Sequence, residues 1–185
     1  MRCAIPNGGP LEGVRLLTNQ SSPLPDGAIA PIPNWDAIKD VPEKYLVAEG
    51  DEVREMTANE KKAVDNAMIA DIKHAKCMAI DMRSCELIDQ GFVHNGKLFS
   101  LSAAAQRNWM ALMDTHNAGL LTFPLAVSVK ADDEEYVIQD AAEFLAFWGA
   151  AMGTGKAHID AGRALKLAVA AASDIDALNT VVDER

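Results

Sequence analysis

Four groups of residues in this chain have types that do chemistry in other proteins, and each stands or falls on spacing. The string GTGK at 153–156 carries the glycines and lysine of a phosphate-binding loop. That loop needs a glycine five positions before its Gly-Lys pair and a Ser or Thr after the lysine, so that backbone N–H groups cradle phosphate and a hydroxyl reaches magnesium. Positions 150 and 157 are both alanine, Gly149 is one residue out of place, and the surroundings read as helix interior. His74 and Cys77 fall on neighbouring turns of a predicted helix with Cys85 nearby. A structural zinc site wants four nitrogen or sulfur ligands, and no CxxC pair supplies the rest. Cys77 and Cys85 read instead as small buried hydrophobes.

The run Asp132-Asp133-Glu134-Glu135 offers oxygens to calcium but lacks the alternating Asp/Asn and glycine of a calcium loop, so it reads as a solvated turn. His94, His116 and His158 are scattered, with no nucleophile on a recognisable elbow. Asp160, Arg163 and Lys166, three residues apart, read as a solvated helix face, and Trp109 as a core residue. The spacing assigns no catalytic residue, no cofactor and no metal ligand. A hydrolase or metal-dependent enzyme built from the scattered His and Asp residues is the rival of a different class.

The elements that would position these groups begin after a long irregular stretch. Six of the eight prolines lie in the first 33 residues with Gly8, Gly9, Gly13 and Gly27, which predicts an extended arm over 1–40. Its apolar residues Leu11, Val14, Leu16, Leu17, Ile29, Ile32 and Trp35 exceed what a solvated linker needs, so the arm is expected to order against a partner. Ile32, Trp35 beside Pro31 and Pro33, and Tyr45 are the expected partner-binding residues.

Residues 41–77 read as a short hairpin around Gly50-Asp51 and a helix opened by Thr57 with Glu60 three residues on. A compact domain is expected over 78–185. Residues 78–93 read as β-compatible, and Asn95-Gly96 supplies a tight hairpin turn that folds GFVH onto KLFSLS. Ser102 caps a helix whose face carries Ala105, Trp109, Leu112 and His116, and Gly119 stops it. The order then recurs: LTFPLAVSV, a polar turn, YVIQ, and a long helix opened by Asp140 and Glu143. Gly149, Gly153, Gly155 and Gly162 interrupt that helix, which suggests another element pressed close; Ser173 and Asp176 are candidate caps for a last short helix. The fold class is α+β: two β-hairpins each followed by a helix, preceded by a short hairpin and helix and by the arm.

A net charge of −10 disfavours contact with nucleic acid phosphates, and no run reaches the roughly twenty apolar residues of a membrane span. Three cysteines, an odd number, fit a reducing compartment. Neither nucleic acid nor membrane is an expected partner.

The combination of Arg83-Ser84, Leu87-Ile88, GF, a hairpin, FSLS, AQ, NW, FP at 123–124 and AHIDAGRALK at 157–166 resembles a domain of uncharacterised function recurrent in tailed-bacteriophage proteins, often at the end of tail or fibre-associated chains. The preceding KYLVAEGDEVREMTANEKKAVD is similar to a segment that commonly leads into that domain, so the resemblance covers residues 41–182. It implies a noncatalytic structural component of the virion, synthesised in the host cytoplasm, homo-oligomeric, and docked through its arm on other phage structural proteins. The alternative within the same setting is a cytoplasmic tail-fibre assembly chaperone.

Overall fold

The computed structural model describes residues 3–7, 13–17, 26–130 and 134–185. The chain divides into two compact units, Met1–Ile72 and Lys73–Arg185. Every sheet among the described residues is a two-stranded antiparallel hairpin, and helices follow them, which is the expected α+β arrangement.

In the first unit, β1 (Cys3–Pro6) pairs with β2 (Val14–Leu17), and Ala4 exchanges backbone hydrogen bonds with Ile29 at 3.0 and 2.9 Å. A one-turn helix α1 (Trp35–Ile38) follows, then β3 (Leu46–Glu49) paired with β4 (Glu52–Glu55) around Gly50. Ala4, Val14, Ile29, Ile32, Ile38, Leu46 and Val53 close on one another as a small core. This corrects the arm: its described residues share a core with the hairpin at 46–55, instead of waiting extended for a partner. The physical reason lies in the apolar residues themselves, because Ile29, Ile32 and Ile38 find in Leu46 and Val53 the surface a partner would otherwise supply. Gly8, Gly9, Pro10, Leu11, Pro23, Pro25, Asp132 and Asp133 lie outside the described residues.

The predicted capping box is formed. Thr57 N–H donates to Glu60 Oε2 at 2.7 Å, and Glu60 N–H to Thr57 Oγ1 at 3.4 Å. It opens α2 (Ala58–Gln90), 33 residues long, which runs straight through the stretch read as β-compatible. That expectation is overturned by period. The buried residues Ile80, Ser84 and Leu87 recur at helical spacing, Met, Arg and Glu between them are good helix formers, and Ser84 Oγ returns its proton to the Ile80 carbonyl one turn back at 2.9 Å.

Gly91 ends α2 at φ +97°, and a Cβ there would stand 2.1 Å from the Phe99 carbonyl oxygen, so only glycine fits the turn into β5 (Phe92–His94). Asn95 and Gly96 both take positive φ, 47° and 74°, and fold β5 onto β6 (Lys97–Phe99) as their types predict. Ser102 Oγ accepts from Ala105 N–H at 3.3 Å to cap α3 (Ala103–Asn117), and Gly119 follows it at φ +70°. Then come β7 (Leu125–Ser128) and β8 (Glu135–Ile138), α4 (Ala141–Ala171) and α5 (Ile175–Thr180). Asp140 caps α4 as expected, accepting from Glu143 N–H at 2.9 Å; α5 is capped by Asp174, not by Ser173 or Asp176.

Phe92, Phe99, Trp109, Ile138, Phe144 and Phe147 fill the second core, with Phe147 edge-on to Phe92, Phe99 and Trp109 at 5.0, 4.9 and 5.1 Å. Of the four glycines in α4, only Gly162 is crowded: a Cβ would meet Ser84 Oγ at 2.6 Å. Gly149, Gly153 and Gly155 have nothing within 4 Å of that position, so among the described residues a pressing neighbour is found at Gly162 alone.

Candidate functional site

The residues expected to bind a partner are distributed unequally. Ile32 is 6% exposed and belongs to the first unit's interior, which removes it from any surface. Trp35 is half-buried against the same core. Tyr45 is also half-buried, and its hydroxyl donates to the Asp65 carboxylate at 2.8 Å while Lys44 Nζ sits 4.4 Å from its ring centroid. The hydrogen bond from Lys44, then that from Tyr45, lowers the Asp65 pKa. Beside this cluster, Arg54 donates to Glu60 through both terminal nitrogens at 2.9 and 3.0 Å and to Glu49 at 2.6 Å. The bonds from Arg54 to Glu60, with the Thr57 N–H and hydroxyl, lower the Glu60 pKa to about 2. Both clusters staple the β3–β4 hairpin and the stretch before it to the first turns of α2.

In the second unit a histidine, a tyrosine and a carboxylate meet. Tyr136 on β8 donates its hydroxyl proton to Glu143 in the first turn of α4, and Asn95 Nδ2 from the hairpin turn donates to the same hydroxyl at 2.7 Å. His94 stands edge-on to Tyr136 at 5.9 Å and to Phe147 at 5.4 Å, with its Nε2 buried and without a hydrogen-bond partner among the described residues. The Gln139 N–H, and after it Tyr136, lower the Glu143 pKa, and Glu143 raises that of Tyr136. This set has the residue types of acid–base chemistry, but each polar contact ties one element to another, and none of its members lines the surface grooves described below.

The most completely satisfied polar site is one that sequence reasoning missed. The Arg185 side chain, 16% exposed, uses all five guanidinium donors: Nε and Nη2 on Asp183 at 2.8 and 2.6 Å, Nη1 on Ser84 Oγ and the His158 carbonyl, Nη2 also on the Ile80 carbonyl. Arg83 in turn donates twice to the Arg185 main-chain oxygen, and Lys76 to the Val181 carbonyl at 2.9 Å. Gly162 leaves the room this socket needs. Nothing in the local pattern announces it, since its parts come from three separate segments.

The grooves are open and largely apolar. One of about 380 Å³ has Leu101, Ala151 and Met152 as walls with Gln106 and Lys156 among its polar lining; one of about 410 Å³ runs beside Met78, Met82 and Cys85; one of about 370 Å³ lies between Ile80 and Val182. A fourth, of about 650 Å³ and more polar, lies beside Pro31 and Asp51 in the first unit. Cys85 is exposed and Cys77 half-buried, correcting the reading of both as buried. Among the described residues, no three His, Cys, Asp or Glu side chains converge as metal ligands, and no helix is long and apolar enough to cross a membrane. GTGK lies inside α4.

Large apolar side chains meanwhile stand outside. Met78 and Met82 on α2, and Ile159 and Leu167 on α4, are 53, 62, 58 and 64% exposed. Between Glu143 and Lys156 the helix carries no charged residue, a signal that apolar side chains face outward there, and Leu145 in that stretch is 49% exposed; no comparable signal marks the other four.

A family described as a domain of unknown function, DUF4376, matches residues 71–183, well over half of the chain. No curated protein and no solved structure matches it. The chain belongs to the DUF4376 family.

Proposed function

We propose that the protein is a noncatalytic structural component of a tailed-phage virion, homo-oligomeric and bound to other structural proteins of the particle. The observation that carries a docking role is the pairing of engaged ionisable groups with exposed large apolar ones. The second unit commits Asn95, Tyr136, Glu143, Asp183 and Arg185 to holding its own elements, while Met78, Met82, Ile159 and Leu167 face solvent. Exposed apolar side chains on long helices are what a protein partner covers. The virion setting comes from the motif resemblance between residues 41 and 182.

The mode of docking changes from the one expected. With Ile32 in its own interior, contact is made through folded surfaces instead of through an arm that orders on binding. Mass spectrometry of gradient-purified particles tests the reading: the chain should be present at a fixed copy number. Its presence in the infected-cell lysate with absence from particles would replace this reading with the assembly-chaperone one.

A further inference from the structure

α4 has two faces with different accounts. One carries Phe144, Phe147, Ala151, Gly162 and Val169 into the interior. The other presents Leu145, Gly149, Gly153, Lys156, Asp160, Arg163, Leu167 and Ala171, all exposed, at spacings of three or four along a helix of 31 residues, about 46 Å. Among the described residues nothing lies within 4 Å of a Cβ position at Gly149 or Gly153, so no described neighbour requires glycine there, although glycine weakens a helix.

From this stripe we infer that a second copy of the chain pairs along α4, antiparallel, about a two-fold axis near residue 158. The inference deepens the homo-oligomeric part of the proposed function and rests on it. In that register Lys156 meets Asp160 of the second copy, Gly153 meets Arg163, Gly149 meets Leu167 and Leu145 meets Ala171. Each contact occurs twice, and in each a large side chain falls on a small one or a cation on an anion.

Charge selects the occupant. The chain carries a net −10, so two copies repel over most of their surface, yet on this stripe Lys156 and Asp160 lie symmetrically about residue 158, so two antiparallel copies set cation on anion at the axis. Parallel pairing is disfavoured, since it sets Lys156 on Lys156, Asp160 on Asp160 and Leu167 on Leu167. In the isolated chain Lys156 and Asp160 pair with each other one turn apart, with side chains 75 and 54% exposed, so exchanging that pair between copies adds little desolvation.

Sedimentation equilibrium of the full chain and three variants tests the pairing. The chain should be a dimer. Gly149→Leu should leave the chain folded, because no described residue comes within 4 Å of the Cβ position, yet weaken association at least about tenfold by occupying the place of Leu167. Lys156→Asp should weaken association by about tenfold, and Lys156→Asp with Asp160→Lys should restore it to within about threefold. A chain that stays monomeric at about 100 μM, where a dimer of even about 5.5 kcal/mol would be half formed, a dimer indifferent to Gly149→Leu, or a double exchange that fails to restore it overturns the inference. A monomer still present in particles overturns the pairing and spares the virion reading; a dimer absent from particles does the reverse.

Discussion

At the scale of single residues, three positions define what holds the molecule. Glu60 has its pKa lowered from 4.5 to about 2, first by Arg54 and then by the Thr57 N–H and hydroxyl. A lowered folded pKa means that its contribution is complete above 4.5 and is lost as pH falls from there towards 2. Arg54→Gln should move the Glu60 titration midpoint, followed by NMR, upwards towards the ordinary carboxylate range while leaving the part owed to Thr57. Gly91 is held at φ +97° with the Phe99 carbonyl 2.1 Å from a Cβ position, so Gly91→Ala should cost at least about 2 kcal/mol in urea unfolding. Arg185→Ala strips Asp183, Ser84 and two carbonyls of their donor and should cost roughly 1–3 kcal/mol. In the sequence Gly91 reads as part of the strand GFVH, and its role as the turn that ends α2 appears only in the fold. Arg185 was not visible at all, because its partners are 2, 27, 101 and 105 positions away.

At the scale of elements, the starts of helices are local events and were legible. Thr57 with Glu60, Ser102, and Asp140 with Glu143 all cap as their types and spacing predict, since each cap needs only neighbours within four residues. Asp140→Ala should cost about 1 kcal/mol, read from the shift in denaturation midpoint. The glycines of α4 give a sharper contrast. In the monomer, Gly153→Ala should stabilise by roughly 0.5–1 kcal/mol because no described residue comes within 4 Å of its Cβ position. Gly162→Ala should destabilise by about 1–3 kcal/mol because the methyl group arrives 2.6 Å from Ser84 Oγ. Equal effects at the two positions would mean that the Ser84–Gly162 contact is not formed. The extent of α2 was misjudged for a related reason: short apolar runs such as CMAIDM fit either period, and only the burial of Ile80, Ser84 and Leu87 selects the helix.

At the scale of the whole molecule, the first unit depends on residues that look dispensable. Deleting residues 1–40 removes Ala4, Val14, Ile29, Ile32 and Ile38 from contact with Leu46 and Val53. Hydrogen exchange should then show residues 46–55 losing protection while β5, β6 and α4 keep theirs; undiminished protection at 46–55 would mean that this core does not hold the hairpin. Composition and local spacing by themselves determined the α+β class, the hairpin turn at Asn95-Gly96, three helix caps and the aromatic content of the second core, since each follows from contacts near in sequence or from the period of apolar residues. Only the tertiary structure decided that Ile32 lies inside, that GTGK sits mid-helix with open space around its neighbouring glycines, and that Arg185 is locked between Ser84 and Asp183. Those outcomes turn on which surfaces meet across tens of residues, and a linear pattern says how much apolar area must be buried without saying against what.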